Sequence, residues 1–156
     1  MTTIFIDADA CPVTRDAISL ARSRSLPVVL VANGSQNLSR YAGRTGVEIL
    51  QVASGQDSAD FAIVPRLASG DIVVTADTGL ASMALSRGCR VVSPRGREFL
   101  PATIDGELAI RHAEQRHRRA RGRTTGPTPF CDEDRERFRE MLTRLMNESF
   151  GAADRR

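Results

Sequence analysis

Tryptophan is missing from this sequence of 156 residues, tyrosine occurs once, and lysine is absent, so that all 22 basic residues are arginine. The arginine bias decides nothing by itself, because the coding habit of a genome explains it as readily as a need for bidentate phosphate contacts. Nowhere do 18 apolar residues follow one another, and Asp7 and Asp9 interrupt the apolar run near the N-terminus. Neither a membrane span nor a secretory leader is expected, and the expected compartment is the cytoplasm. Cys11, Cys89 and Cys131 are odd in number, far apart and without a CxxC pair, which argues against a disulfide framework or a zinc site. Cys11, just before Pro12, could be a low-pKa thiol at a helix start, but a small core residue is the expected role. The two histidines, His112 and His117, fall on divergent faces of a helix and make a poor ligand pair. GxGxxG, GxxxxGK[ST] and GxSxG are all absent, which weakens dinucleotide, nucleoside triphosphate and serine hydrolase readings.

What is present begins with length: 156 residues suffice for one domain with a substantial core and no covalent staples. Charge is unevenly placed. Residues 111–123 hold six arginines, Arg111, Arg116, Arg118, Arg119, Arg121 and Arg123, against the single acid Glu114, and the rest of the chain is mildly acidic. Such a basic arm on an acidic body suits a protein that delegates polyanion binding to one segment.

The apolar runs Ile4–Ile6, Val28–Ala32 and Ile72–Thr75 lack alternation and read as strands buried on both faces of a parallel sheet. Val47–Val52 alternates and reads as an edge strand; Cys89–Ser93 supplies a fifth. Between them, helical spacing is expected over 12–24, weakly over 38–44, over 57–67 with Pro65 kinking or ending the helix, and over 80–87, with Gly88 as a breaker. The expectation is therefore an α/β three-layer sandwich around a mostly parallel five-stranded sheet. Residues 1–150 form the single domain. A basic helix and linker over 104–129, preceded by the basic loop Arg95-Gly96-Arg97, and a helix over 132–149 with Phe138, Leu142 and Leu145 as its inward stripe pack on it; residues 151–156 are expected to be disordered.

Five acids fall at expected strand exits or helix starts: Asp7, Asp9, Asp57, Asp60 and Asp77. Strand exits are where open parallel sheets bind ligands. Two acids two residues apart, as Asp7 and Asp9 are, repel unless a cation lies between them, and carboxylates without His or Cys partners suit Mg²⁺ or Mn²⁺. The plainer alternatives are that Asp7 or Asp9 caps the helix opened by Pro12, and that Asp57 and Asp60 cap theirs. Acids that hold cations beside arginines that hold a polyanion would serve phosphodiester hydrolysis.

The motifs Asp7-Ala8-Asp9-Ala10-Cys11-Pro12, Val31-Ala32-Asn33-Gly34-Ser35, Gly55-Gln56-Asp57-Ser58-Ala59-Asp60, Gly70 to Asp77, Pro94-Arg95-Gly96 and Gly126-Pro127 resemble the bacterial YaiI/YqxD family. That family resembles the PIN-like nucleases. The resemblance implies a parallel sheet between helices and a nuclease that hydrolyses RNA or DNA with Mg²⁺ or Mn²⁺. It also implies Asp7, Asp57, Asp60 and Asp77 as catalytic metal ligands with Asp9 beside them, Ser58 and Thr75 as hydrogen-bonding support, and Asn33 on the same crevice. Arg95, Arg97 and the arginines of 111–123 would contact the nucleic acid. The rival expectations are a nucleic-acid-binding protein of the same fold without turnover, and a small-molecule phosphatase at the same centre; a homo-oligomer is left open.

Overall fold

The structure is a computed structural model that describes residues 1–9, 11–33, 38–52, 58–121 and 128–154, apart from the side chains of residues 58, 121 and 150–154. In chain order the elements are β1 (Ile4–Asp7), α1 (Thr14–Ser23), β2 (Val28–Ala32), β3 (Val47–Gln51), α2 (Ser58–Ile63), β4 (Ile72–Val74), α3 (Thr78–Ser86), β5 (Arg90–Val92), β6 (Glu98–Phe99), α4 (Ile104–Arg121) and α5 (Asp132–Asp154). The sheet runs β3-β2-β1-β4-β5-β6, parallel throughout except for the antiparallel pair β5–β6.

Wholly apolar strands end up in the middle because only there are both faces covered. Alternate side chains then part company. Ile4, Ile6, Val28, Leu30, Ile72 and Val74 join one buried cluster with Ile18 of α1 and Phe138, Leu142, Leu145 and Met146 of α5. Phe5, Val29, Val31, Val73 and Val91 join a second with Ile63 of α2, Leu80 and Ala84 of α3, and Ile104 of α4. The three layers are thus as expected, and β3 is at the edge with its alternating, half-covered side chains.

Four local details refine the expectation. The sheet has a sixth strand: a tight turn, in which Gly96 N–H donates to Ser93 O (2.9 Å) and Ser93 N–H to Arg97 O (2.8 Å), folds Glu98–Phe99 back onto β5. Two residues are too few to register as a periodic pattern. The weak helix over 38–44 is only a single 3₁₀ turn, Ser39–Tyr41. The helix over 57–67 stops at Ile63 and tightens into a 3₁₀ turn, Val64–Arg66, as Pro65 forewarned. At the other end of the chain α5 continues through Asp154, past the expected stop at 149.

Topology sets the position of the site. From β1 the chain steps to β2 and β3 in one direction, then returns to β4 and steps to β5 in the other. The carboxyl ends of β1 and β4 therefore flank the point where strand order reverses, the place where open parallel sheets bind ligands.

The turn before β6 also locks α5 in place. Gly96 has φ +86°, and a Cβ there would lie 2.4 Å from the Arg137 carbonyl carbon and 2.5 Å from Phe138 N. Backbone cannot yield as a flexible side chain can, so Gly96→Ala is expected to cost about 3 kcal/mol and lower the melting temperature by roughly 10 °C. Thermal unfolding followed by circular dichroism measures this; an unchanged melting temperature would contradict the close approach.

Candidate functional site

The pairing of β1 with β4 places Ile6 beside Val74, and the next step along both strands brings Asp7 beside Thr75. Thr75 Oγ1 donates to Asp7 Oδ2 at 3.0 Å and accepts from the Asp77 N–H at 3.0 Å. On the other side, β1 pairs Asp7 with Val31, and two residues further on the Asn33 N–H donates to Asp9 Oδ1 at 3.2 Å. Parallel register alone thus gathers Asp7, Asp9, Asp77, Thr75 and Asn33 at the reversal of strand order.

Neither Asp7 nor Asp9 caps α1. Its N-cap is Val13, which makes no side-chain cap hydrogen bond, so the plainer explanation of these two acids does not apply. Asp77 is the residue that does cap a helix: its Oδ1 accepts from Gly79 N (2.8 Å) and Leu80 N (3.3 Å) at the start of α3. The same oxygen accepts from Arg111 Nη1 at 2.8 Å, reaching across from α4. Gly79 makes room for this contact, since a Cβ there would come within 3.2 Å of both groups.

The electrostatics centre on Asp7. Burial, opposed by the Thr75 hydrogen bond and reinforced by the charges of Asp9 and Asp77, pushes its carboxyl up to about 6. Three acids influence one another here, and among the described residues the cation that pairs with any of them is Arg111, bonded to Asp77. Excess negative charge among oxygen donors is the chemistry that a hard divalent cation relieves. Among the described residues no group of three or more His, Cys, Asp or Glu stands ready-made to hold a metal ion. Asp57 lies outside the described residues, as does the side chain of Ser58; Asp60 is buried on α2.

A profile described as "Uncharacterized BCR, YaiI/YqxD family" matches residues 5–148. The chain belongs to the YaiI/YqxD family. Among curated relatives it is similar to the UPF0178 proteins of Bacillus mycoides and of Bacillus thuringiensis subsp. konkukian, each 39% identical over 143 residues that cover 92% of this chain and 97% of the relative. A UPF0178 protein of Bacillus anthracis is 38% identical over 143 residues, with the same shares of the two chains covered. No solved structure matches.

In this family member the arginines divide into two groups. Arg95 is tied to Asp134 (3.2 Å) and to Thr128, and Arg97 to Glu107 and the Phe99 ring, so both brace the C-terminal helices. Arg116, Arg118 and Arg119 lie exposed on α4, where Arg116 and Arg119 line a shallow groove of about 440 Å³ with His112. The side chain of Arg121 and the whole of Arg123 lie outside the described residues. Burial pushes the Cys11 thiol up, in keeping with a packed rather than a reactive cysteine. No helix among the described residues is long and apolar enough to cross a membrane.

Sequence reasoning missed Asp77 as a cap and Arg111 as its partner. The cap had a signal, an Asp directly before the helical run that includes Leu80; the arginine, 34 residues away, had none.

Asp7 titrates near 4 in an unfolded chain and at about 6 here, so the folded state holds the proton more tightly. The cost of ionising it is absent below pH 4, grows between pH 4 and 6, and is fully present above. Stability therefore falls as pH rises through that window. Asp7→Asn should leave stability unchanged at pH 4 and raise it by on the order of 2 kcal/mol at pH 7.5 without divalent ions. Denaturant unfolding at the two pH values tests this, and an equal gain at both would refute it.

Proposed function

We propose that the protein is a metal-dependent nuclease, acting on RNA or DNA phosphodiester bonds, with RNA the preferred reading. The observation that carries this reading is the meeting of Asp7, Asp9 and Asp77 at the reversal of strand order, where Asp7 is held up to about 6 by burial and uncompensated charge. The resemblance to PIN-like nucleases, which use acids for magnesium- or manganese-dependent hydrolysis, supports it.

Asp7 and Asp9 would hold Mg²⁺ or Mn²⁺, with Asp57, Asp60 and Asp77 as the further acids of the set. When bound, such an ion supplies positive charge that polarises a phosphodiester and eases deprotonation of water. The protein's own groups do the rest. Thr75 fixes the Asp7 carboxylate through its hydroxyl and holds the Asp77 backbone by the same oxygen, so the acids keep their orientation while a substrate moves. Asn33 anchors Asp9. Arg111 would exchange its Asp77 contact for a phosphate oxygen as negative charge arrives, and the exposed Arg116, Arg118 and Arg119 would offer a cationic track along α4.

A second reading, nucleic-acid binding without turnover, is favoured by the Arg111–Asp77 pair, which leaves one acid of the cluster already neutralised. The two separate cleanly. In the nuclease reading, single-stranded RNA is hydrolysed with Mn²⁺, Asp7→Asn lowers the rate by about a hundredfold or more, and Mn²⁺ raises the melting temperature of the parent but not of the variant. Binding with a steep salt dependence and no cleavage by the parent protein would instead establish the second reading, and hydrolysis undiminished in Asp7→Asn would remove the acids from the mechanism.

A further inference from the structure

We propose that a cavity on the α1 side of the Asp7–Asp9 segment is a binding site for a phosphate group. The cavity measures about 330 Å³, opens beside Ala8, and is lined by Arg15, Arg40 and Arg135 with Thr14 and Tyr41 and, among the described residues, by no Asp or Glu. Ala8 belongs to the core cluster on the α1 face, whereas Asp7, one residue earlier, must point to the opposite face. One stretch of backbone therefore separates an acidic cluster from a basic hollow.

Two of the three guanidinium groups are held in place before any ligand arrives. Arg135 lies 5.3 Å from the centre of the Phe130 ring, donates to Pro12 O at 3.3 Å, and pairs with Asp16. Arg40 lies 5.8 Å from the centre of the buried Tyr41 ring. Arg15 is exposed in the first turn of α1 and has no carboxylate partner among the described residues. The acid nearest in sequence, Asp16, is engaged by Arg135 and Arg139. Cys11 also lines the cavity, but burial pushes its thiol up, so it brings no negative charge.

Arg135 already shares Asp16, so the charge without a carboxylate partner among the described residues is that of Arg15 and Arg40, and an anion between them would relieve their repulsion. A phosphate has oxygens enough to accept from the Arg15 and Arg40 forks at once with Arg135 beside them, and its geometry matches a guanidinium bidentately. The start of α1, whose N-cap Val13 makes no side-chain cap hydrogen bond, adds to the attraction of the arginines. The ligand has two sources: the phosphate next to the one held at the acids, in the same nucleic-acid strand, or a free phosphate compound. Only the strand rests on the nuclease reading.

Binding is measured in EDTA, where cleavage plays no part. Titration of inorganic phosphate into the ¹⁵N-labelled full-length protein should move the amide signals of Thr14, Arg15 and Tyr41. The Kd should weaken about tenfold in Arg15→Ala/Arg40→Ala, both exposed positions that leave the core intact. If the source is a strand, the affinity for a short single-stranded RNA also falls in the double variant, and the slope of log K against log salt shrinks by about 1.4, for two lost phosphate contacts. If only a nucleoside monophosphate loses affinity, the site stands and its ligand is a free phosphate compound. Phosphate that leaves these signals unmoved, or binds the double variant equally well, overturns the proposal. Whether Asp7→Asn still cleaves bears on the nuclease reading alone.

Discussion

The structure turns on the repulsion among carboxylates that parallel pairing forces together. A parallel sheet delivers all its strand exits to one edge, and β1 and β4 are neighbours where strand order reverses. Acids placed just beyond these two strands cannot avoid each other. Thr75 takes part of the strain by donating to Asp7, and Arg111 takes part by donating to Asp77. Burial of Asp7, the larger cause, and what remains of the repulsion together hold its carboxyl up at about 6, a native state carrying unfavourable charge at neutral pH. Residual strain of this kind, confined to a crevice, is how functional sites tend to depart from the most stable arrangement.

The helices around the sheet are fitted to this edge. α3 begins on Asp77, so the acid that joins the cluster also fixes the direction of a helix. α4 packs on α3 and reaches back with Arg111. α5 covers the opposite face, where Phe138, Leu142 and Leu145 fill the core and Arg135 turns toward the hollow beside Ala8. The loop from Arg95 to Arg97 belongs to this support: its arginines tie β6 and α4 to α5 rather than standing free in a groove.

Particular residues mark how far a sequence can be read here. The inward stripe of α5, the edge position of β3, the early end of α2 at Pro65 and the buried central strands all follow from local patterns, because periodicity and proline geometry act over a few residues. The convergence of Asp7 with Asp77 could be anticipated from strand exits. The short β6 could not, since two residues carry no pattern. Arg95 and Arg97 looked like part of a basic surface, and their ties to Asp134 and Glu107 depend on packing between distant helices.

By itself, then, the sequence determined the layering: runs of β-branched residues make central strands, and the order of strand and helix signals implies parallel crossovers of one hand. It also put Asp7 at the exit of β1 and Asp77 just beyond β4. Only the tertiary structure decided which of those charges are neutralised. Arg111 finds Asp77, Asp16 takes Arg135 and Arg139, and Arg15 and Arg40 are left facing a hollow with no Asp or Glu among its described lining residues. The reason is range: a hydrophobic repeat is written within one element, whereas a charge finds its partner only after elements far apart in the chain have packed.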